Sequence, residues 1–148
     1  MKWRVVAVGK PALAYARAGI EEYLGRLKRF GEVEMVWVKE GASVAETARR
    51  VLDQTVGCRT YLLDETGEQL TTMAWRAVID GLERDGVRKI AVLIGGADGH
   101  APEVRACVTT RWALGRMTLQ HELATVVWLE QLYRLCSLQR GEPYHREG

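Results

Sequence analysis

The chain has 148 residues, of which 21 are Lys or Arg and 19 are Asp or Glu, so its formal net charge is +2. Hydrophobic residues make up 47% and charged residues 27%, which predicts one globular domain over residues 1–148. These values exclude a disordered or low-complexity chain and a strongly basic nucleic-acid tail. A local basic patch stays open, because patches depend on arrangement rather than on net charge.

The cysteines and the first residues of the chain bear on where the protein works. The three cysteines are Cys58, Cys107 and Cys136, and they form no CxxC motif. This odd count predicts reduced, mostly buried thiols and gives no ligand spacing for a metal. The apolar run at 3–8 is too short for the core of a signal peptide, and no run approaches the roughly 20 apolar residues of a membrane span. We therefore expect a cytoplasmic protein without a membrane segment.

Short apolar runs alternate along the chain with longer amphipathic segments. In chain order the pattern predicts a strand at 3–8, a helix at 12–29, a strand at 33–38, a helix at 43–56, a strand at 59–63 and a helix at 72–84. It continues with a strand at 89–94, a helix that starts near 102 and a long helix at 122–138. Alternation of this kind is typical of an α/β fold with a parallel sheet covered on both faces.

The ends of the predicted strands are candidate ligand loops, because parallel α/β sheets bind ligands beyond the carboxyl ends of their strands. The strand at 59–63 is expected to end in a polar turn at 64–67. The strand at 89–94 is followed by the sequence GGADG at 95–99. Glycines allow a close approach between backbone and ligand, and the spacing is not the GxGxxG of dinucleotide sites. A ligand loop and a tight strand-to-helix turn are both compatible with these residues.

The segment 122–138 is apolar around most of its circumference. A helix of this kind is buried on more than one side, and in a chain this small the second side is expected to be a second subunit. We therefore predict a homodimer through this helix, with a central core helix as the alternative. Glu130 and Arg134 lie four residues apart, which suits an ion pair.

The C-terminal tail places three residues suited to RNA chemistry next to one another. Tyr144 can stack on a base, His145 has an imidazole suited to proton transfer, and Arg146 can clamp a phosphate. The alternative is a frayed, solvated terminus. His100 and His121 likewise have structural interpretations, since a single histidine has many structural uses.

Four segments together resemble one family in order and spacing. They are LIGGADG at 93–99, MTLQH at 117–121, EQLYR at 130–134 and PYHRE at 143–147. The chain resembles the RlmH-type large-subunit ribosomal RNA pseudouridine-N3 methyltransferases, a branch of the SPOUT superfamily. The likeness spans essentially the whole chain.

The resemblance implies a parallel-sheet SPOUT fold with a C-terminal trefoil knot, a homodimer, and S-adenosylmethionine as cofactor. It implies methylation of N3 of a pseudouridine in large-subunit (23S) ribosomal RNA on the assembled ribosome. The cofactor contacts that it implies are Leu63, Gly95, Leu114, Gly115, Arg116, Met117, Thr118 and Leu119. The catalytic residues that it implies are Tyr144, His145 and Arg146.

Methyl transfer requires that the acceptor nitrogen be held in line with the methyl group and that it lose its proton. His145 is the candidate base, Arg146 the candidate charge or phosphate clamp, and Tyr144 the candidate stacking partner of the acceptor base. The alternative is that the proton goes to solvent and the tail only positions the RNA. No metal is required for this chemistry.

The chain departs from the family at two places. Thr125 stands where a basic residue is usual, and Gly141-Glu142 precedes Pro143, where Asn-His is frequent. Both changes remove a polar or basic group near the expected RNA side, and Arg140 is the candidate replacement. Two other functions stay open: a non-catalytic ribosome-binding SPOUT homologue and a SPOUT methyltransferase that acts on tRNA.

Overall fold

One parallel sheet with helices on both faces organises the chain in this computed structural model, which describes residues 1–146. The strands are β1 (Lys2–Val8), β2 (Val33–Val38), β3 (Arg59–Gln69), β4 (Lys89–Ile94) and β5 (Arg111–Ala113). The helices are α1 (Ala14–Leu27), α2 (Val44–Asp53), α3 (Thr72–Arg84), α4 (Pro102–Cys107) and α5 (His121–Gln139), and a 3₁₀ turn at Lys28–Phe30 extends α1. The strand order is β2-β1-β4-β3-β5, with every pairing parallel.

The predicted α/β sheet is confirmed, and β2, β4 and α3 have the predicted bounds. One prediction beside the cavity-forming end of the sheet is wrong, and one strand was missed. The chain does not turn at 64–67, because β3 continues to Gln69 and pairs there with β5, a strand that the sequence pattern did not predict. Gly67 makes this pairing possible, since a Cβ at that position would lie 2.7 Å from the backbone carbonyl carbons of Arg111 and Trp112.

Gly67→Ala should therefore destabilise the fold by about 2–3 kcal/mol, toward the upper end of ordinary point substitutions. The methyl group would meet backbone atoms of β5, which cannot move aside without breaking the ladder. Thermal unfolding measures the effect, with an expected fall in Tm of roughly 5–10 °C. Gly25→Ala in α1 is the matched control, because its Cβ would meet nothing within 4 Å. Equal Tm values for the two variants would contradict the close approach of β3 and β5.

The two faces of the sheet carry separate hydrophobic clusters. Alternation along β1 sends Val5 toward α1, α3 and α5 and sends Val6 toward α2 and α4. The larger cluster contains four buried tryptophans with neighbouring ring centroids 5.5–6.0 Å apart: Trp3, Trp75, Trp112 and Trp128. This cluster fixes α5 against the middle of the sheet.

Helix α5 matches the predicted segment within one residue at each end. Trp128 and Leu132 are 0% exposed and belong to the sheet-facing cluster, so they are core residues and do not face a partner. Val126 lies close to Gly19 of α1, where a Cβ would come within 3.1 Å of its Cγ1 atom. Four of the half-buried residues that lie outside the sheet-facing cluster form a stripe at helical spacing: Leu123, Val127, Glu130 and Arg134.

Three further expectations bear on the whole chain. No helix among residues 1–146 is long and apolar enough to cross a membrane. All three thiols are free, but Cys107 is exposed and Cys58 half-buried, so the prediction of mostly buried thiols is wrong. The single domain over residues 1–148 and the trefoil knot stay predictions.

Candidate functional site

A cavity of about 660 Å³ opens at the carboxyl end of β4 and beside residues 63–65 of β3, where the pairing of these two strands ends. Its walls come from the two segments that follow Leu63 and Ile94, as the strand-end rule predicts, and from residues 114–121. Seven of the eight predicted cofactor contacts line it: Leu63, Gly95, Leu114, Gly115, Met117, Thr118 and Leu119. The fold thus brings together residues that lie more than 50 positions apart in the sequence.

Arg116 is the predicted contact that the structure places outside the cavity wall. Its side chain is exposed and donates a hydrogen bond from Nε to Oε1 of Gln69 at 3.2 Å. The guanidinium group is therefore directed to the end of β3. A cofactor contact by Arg116 stays a prediction.

The glycine loop combines both interpretations that its sequence allowed. It is a tight turn, since the Gly99 N–H donates to the Gly96 carbonyl at 2.9 Å and Gly99 has a φ of +80°. It also lines the cavity. A Cβ on Gly95 would lie 2.8 Å from the carbonyl carbon of Gly99 and 3.1 Å from the His100 nitrogen. Only glycine fits at position 95 without opening the turn.

Acidic groups outnumber basic ones around the cavity. Three carboxylates line it, Asp64, Glu65 and Asp98, against one guanidinium, that of Arg105. The formal sum is 1 − 3 = −2 with the histidines neutral. A ligand with a net positive charge fits this lining, and a bare phosphate group does not.

Asp64 is the best-connected of these carboxylates. Burial by itself raises its pKa, but hydrogen bonds from the Thr66 hydroxyl and N–H and from Arg105 outweigh it and lower the pKa to about 2. The three donors lie 2.6, 2.9 and 2.5 Å from the carboxylate oxygens. Asp64 therefore stays ionised at neutral pH and ties β3 to α4.

Asp64→Asn should cost about 1–2 kcal/mol of stability at pH 7, allowing for screening at the half-exposed Arg105. Because the pKa is lower in the folded protein, the carboxylate stabilises the fold above its ordinary pKa near 3.8, and this stabilisation is lost as the pH falls toward 2. The difference between wild type and Asp64→Asn in urea unfolding should accordingly shrink below pH 4. Asp53→Asn, on exposed α2, is the control. A difference that stays constant down to pH 2 would contradict the pairing.

His100 holds the glycine loop to the third strand. Its Nε2 atom lies 2.8 Å from the Leu63 carbonyl, and because a carbonyl only accepts, Nε2 carries the proton. Burial lowers the pKa of His100, against the opposing effect of this hydrogen bond. The structural interpretation of His100 therefore holds, and its role is to fix two cavity walls together.

Glu122 is a site-forming residue that the sequence analysis missed. It is 8% exposed, and its Oε1 atom accepts hydrogen bonds from the backbone N–H groups of Ala12 and Leu13 at 2.8 and 2.9 Å. Gln120 caps the same helix end by accepting from the N–H groups of Glu122 and Leu123. The start of α5, which lines the cavity through His121, is thereby anchored to the start of α1.

Two of the predicted catalytic residues, Tyr144 and His145, lie along α5, away from the cavity of their own chain. The Tyr144 ring packs edge-on against Tyr133, with centroids 4.7 Å apart, and the Arg134 guanidinium carbon lies 4.8 Å from the Tyr144 ring centroid. Arg134 is thirteen residues beyond His121, which is roughly 20 Å along a helix. The tail is therefore packed against α5 as far as His145 and is not a frayed terminus there.

The polar groups of the tail are only partly satisfied. The Tyr144 hydroxyl donates to Glu130 Oε1 at 3.3 Å, and burial, with Tyr23 and Glu130 adding to it, raises the pKa of Tyr144 to about 12. His145 Nδ1 lies 3.4 Å from Arg134 Nη1, and its Nε2 is buried without a partner. Arg146 is exposed. Residues 147–148 lie outside the described part of the chain.

The two departures from the family pattern take defined places. Thr125 is 2% exposed and donates to the His121 carbonyl at 2.9 Å, so position 125 is interior in this chain. Glu142 forms an ion pair with Arg29. Arg140 is exposed and lies 3.1 Å from Glu32, and an RNA contact by Arg140 stays a prediction.

Comparisons with known proteins agree with this geometry. The family model "Predicted SPOUT methyltransferase" matches residues 1–145. Two relatives called "Ribosomal RNA large subunit methyltransferase H" are 44% identical over 146 residues in a strain of Thermus thermophilus and 39% in Deinococcus deserti, and each match covers 99% of this chain and 99–100% of the relative. A Legionella pneumophila protein solved with SAM bound has a TM-score of 0.52 at 12% identity, over 94% of this chain and 66% of that longer one. The chain therefore belongs to the SPOUT methyltransferase family.

Proposed function

We propose that this chain transfers a methyl group from S-adenosylmethionine to N3 of a pseudouridine in large-subunit ribosomal RNA, on the assembled ribosome in the cytoplasm. The observation that carries the proposal is the cavity beside β3 and at the carboxyl end of β4, lined by seven of the eight residues that the family resemblance assigns to the cofactor. Support for ribosomal RNA comes from the full-length relatives called ribosomal RNA large subunit methyltransferases.

The lining of the cavity fits S-adenosylmethionine in size, shape and charge. About 660 Å³ lies within the range of small-molecule sites. Leu63, Leu114 and Leu119 offer apolar contacts for an adenine ring, while Gly95 and Gly115 leave backbone groups open to close approach. The excess of carboxylates suits a cofactor that carries a sulfonium and an ammonium group. When bound, this cofactor supplies a methyl group that the sulfonium already activates.

The tail residues take different parts in the transfer. The raised pKa of Tyr144 keeps its phenol protonated, so Tyr144 serves as a stacking surface and donor and not as a base. His145 is the candidate acceptor for the N3 proton, and this role requires that its Nδ1 turn from Arg134 to the RNA. Arg146 is exposed and available for a phosphate or for the charge that develops on the base.

A homodimer brings the two parts of the site together. The stripe of Leu123, Val127, Glu130 and Arg134 faces away from the sheet-facing cluster. A two-fold interface presents the same patch from both subunits. If two such stripes cross antiparallel near Val127, Arg134 with its tail lies next to the partner subunit's helix start. We therefore propose that each site joins the cavity of one subunit to the Tyr144–Arg146 tail of the other.

Val127→Glu should convert the dimer to a monomer, since a carboxylate would be buried at the centre of the interface. The monomer should remain folded and bind S-adenosylmethionine, while methyl transfer to ribosomes is lost with the partner's tail. Sedimentation velocity at micromolar concentration measures the association. Val44→Glu, at the 66% exposed start of α2, is the control. A wild-type chain that sediments as a monomer would rule out the interface.

The proposed reaction is tested by transfer of labelled methyl groups to three substrates in parallel. Ribosomes, free ribosomal RNA and tRNA are prepared from cells that lack this protein. We expect labelling of ribosomes at a pseudouridine, with little in tRNA. Labelling of tRNA alone would replace the proposed substrate, and no labelling with intact cofactor binding would indicate a ribosome-binding homologue without catalysis.

A further inference from the structure

A second cleft lies at the amino ends of the strands, on the opposite side of the sheet's length from the cofactor cavity. It has a volume of about 640 Å³ and is formed where β3 and β4 begin, by the segments 55–60, 86–89 and 107–110. Strand β4 has six residues from its amino end at the cleft to its carboxyl end at the cofactor cavity. The cleft therefore lies roughly 20 Å from the cavity. It is therefore separate from the site of methyl transfer.

The charge of this cleft is opposite to that of the cofactor cavity. Its lining includes Arg59, Arg88 and Lys89 and no Asp or Glu. None of the three cations has a salt bridge among the described residues, whereas Arg4, Arg50, Arg105 and Arg140 are all paired with carboxylates. In the strand register Arg59 of β3 pairs with Ile90 of β4, so Arg59 and Lys89 both lie at the first residues of neighbouring strands, on opposite faces of the sheet, where the cleft wraps around the strand ends.

The remaining lining is polar and carries no competing negative charge. Thr55, Thr60, Thr109 and Thr110 contribute hydroxyl groups. The hydroxyls of Thr55, Thr60 and Thr110 already donate to backbone carbonyls, so the exposed Thr109 hydroxyl is the one among the four with a proton available for a phosphate oxygen. Unpaired cations beside hydroxyls are the side chains that bind phosphate oxygens in nucleic-acid backbones.

We propose that this basic cleft binds the phosphodiester backbone of a second segment of ribosomal RNA, as an anchor about 20 Å from the reacting base. The inference rests on the proposed function, because it requires an RNA substrate large enough to reach both the cofactor cavity and the cleft at the amino ends of the strands. The cofactor cavity has a net negative lining, so most of the attraction for a polyanion must come from other surfaces. The cleft supplies such a surface with no contact to the cofactor.

The test compares the double variant Arg59→Gln, Arg88→Gln with the control double variant Lys28→Gln, Arg49→Gln, whose residues are exposed on other surfaces. We expect the KM for large ribosomal subunits to rise about tenfold and the salt slope of binding to fall by about 2, one for each phosphate that the variant no longer neutralises. The kcat and the affinity for S-adenosylmethionine should stay unchanged, and the control should behave as wild type. An unchanged KM and salt slope in a wild-type-like fold would overturn the proposal. If the wild-type protein methylates no ribosomal RNA, the proposed function is wrong, and the cleft proposal that rests on it is wrong as well.

A footprint at Cys107 locates the RNA independently. Cys107 is exposed and lines the cleft, Cys58 lines it but is half-buried, and Cys136 is buried, so the experiment uses a Cys58→Ser background in which Cys107 is the accessible thiol among the described residues. Bound ribosomal subunits should slow maleimide labelling of Cys107 in this background, and the protection should weaken when Arg59→Gln and Arg88→Gln are added to it, at the same subunit concentration. Protection by inorganic phosphate alone, with none by ribosomal subunits, would show a small-anion site and overturn the RNA assignment.

Discussion

Removal of residues 144–148 should reduce methyl transfer to ribosomes by about 100-fold or more, the usual contribution of a positioned acid–base group. Tyr144 and His145 pack on α5, well away from the cavity of their own chain. The truncation should therefore leave S-adenosylmethionine binding close to that of wild type, measured by isothermal titration. Dimerisation should also persist, because all four residues of the stripe on α5 remain.

Two further variants separate the role of the tail from the role of His145. Deletion of residues 147–148 alone is the matched control and should leave activity near wild type. His145→Ala tests the candidate base without removing Tyr144 from its contact with Tyr133. If the truncated chain methylates ribosomes at the full rate, the tail is not part of the site. If His145→Ala is fully active while the truncation is not, the tail positions the RNA and the proton goes to solvent.

Gly95→Val should weaken S-adenosylmethionine binding by about 100-fold, or about 2.7 kcal/mol. Any Cβ at this position would lie 2.8 Å from the Gly99 carbonyl carbon, so the turn at 95–99 must open. Opening the turn also shifts His100 from the Leu63 carbonyl and separates two walls of the cavity. The strands themselves are untouched, so circular dichroism should show a wild-type fold.

The matched control for Gly95→Val is Gly81→Ala in α3, where the nearest atom to a new Cβ would be the end of the Arg84 side chain at 3.7 Å. The affinity of Gly95→Ala for S-adenosylmethionine should lie between those of wild type and Gly95→Val. Alanine already introduces the close contact of the Cβ, and valine adds two methyl groups to it. A folded Gly95→Val protein that binds the cofactor normally would show that Gly95 is only a turn residue.

Local sequence determined the elements whose signals are local. The β-branched run at 89–94 and the helical spacing at 72–84 predict β4 and α3 with the bounds that the structure has. β5 escaped prediction because three residues, Arg111–Ala113, are too few to show a period of two. The extension of β3 beyond Asp64 was missed because its polar residues are typical of a turn, and only the pairing with β5 makes them a strand.

The candidate site was predictable where it follows from the ends of strands and not where it depends on packing. Parallel strands placed the loops after Leu63 and Ile94 together before any contact was known. The anchoring by Glu122 gave no local signal, because an acidic residue is ordinary in the first turn of a helix. On a helix as apolar as α5, spacing alone does not show that Trp128 faces the sheet and Val127 does not.

The composite site is tested most directly by mixing the truncated chain with the Gly95→Val chain, at a concentration of S-adenosylmethionine that saturates wild type and lies well below the Kd of Gly95→Val, so that neither chain is active alone. After free exchange, heterodimers should make up about half of the dimers, and each should contain one intact cavity facing one intact tail, so about a quarter of wild-type activity should return. Differently tagged subunits confirm that heterodimers form. Heterodimers that carry both subunits and show no methyl transfer to ribosomes would contradict a site shared between subunits.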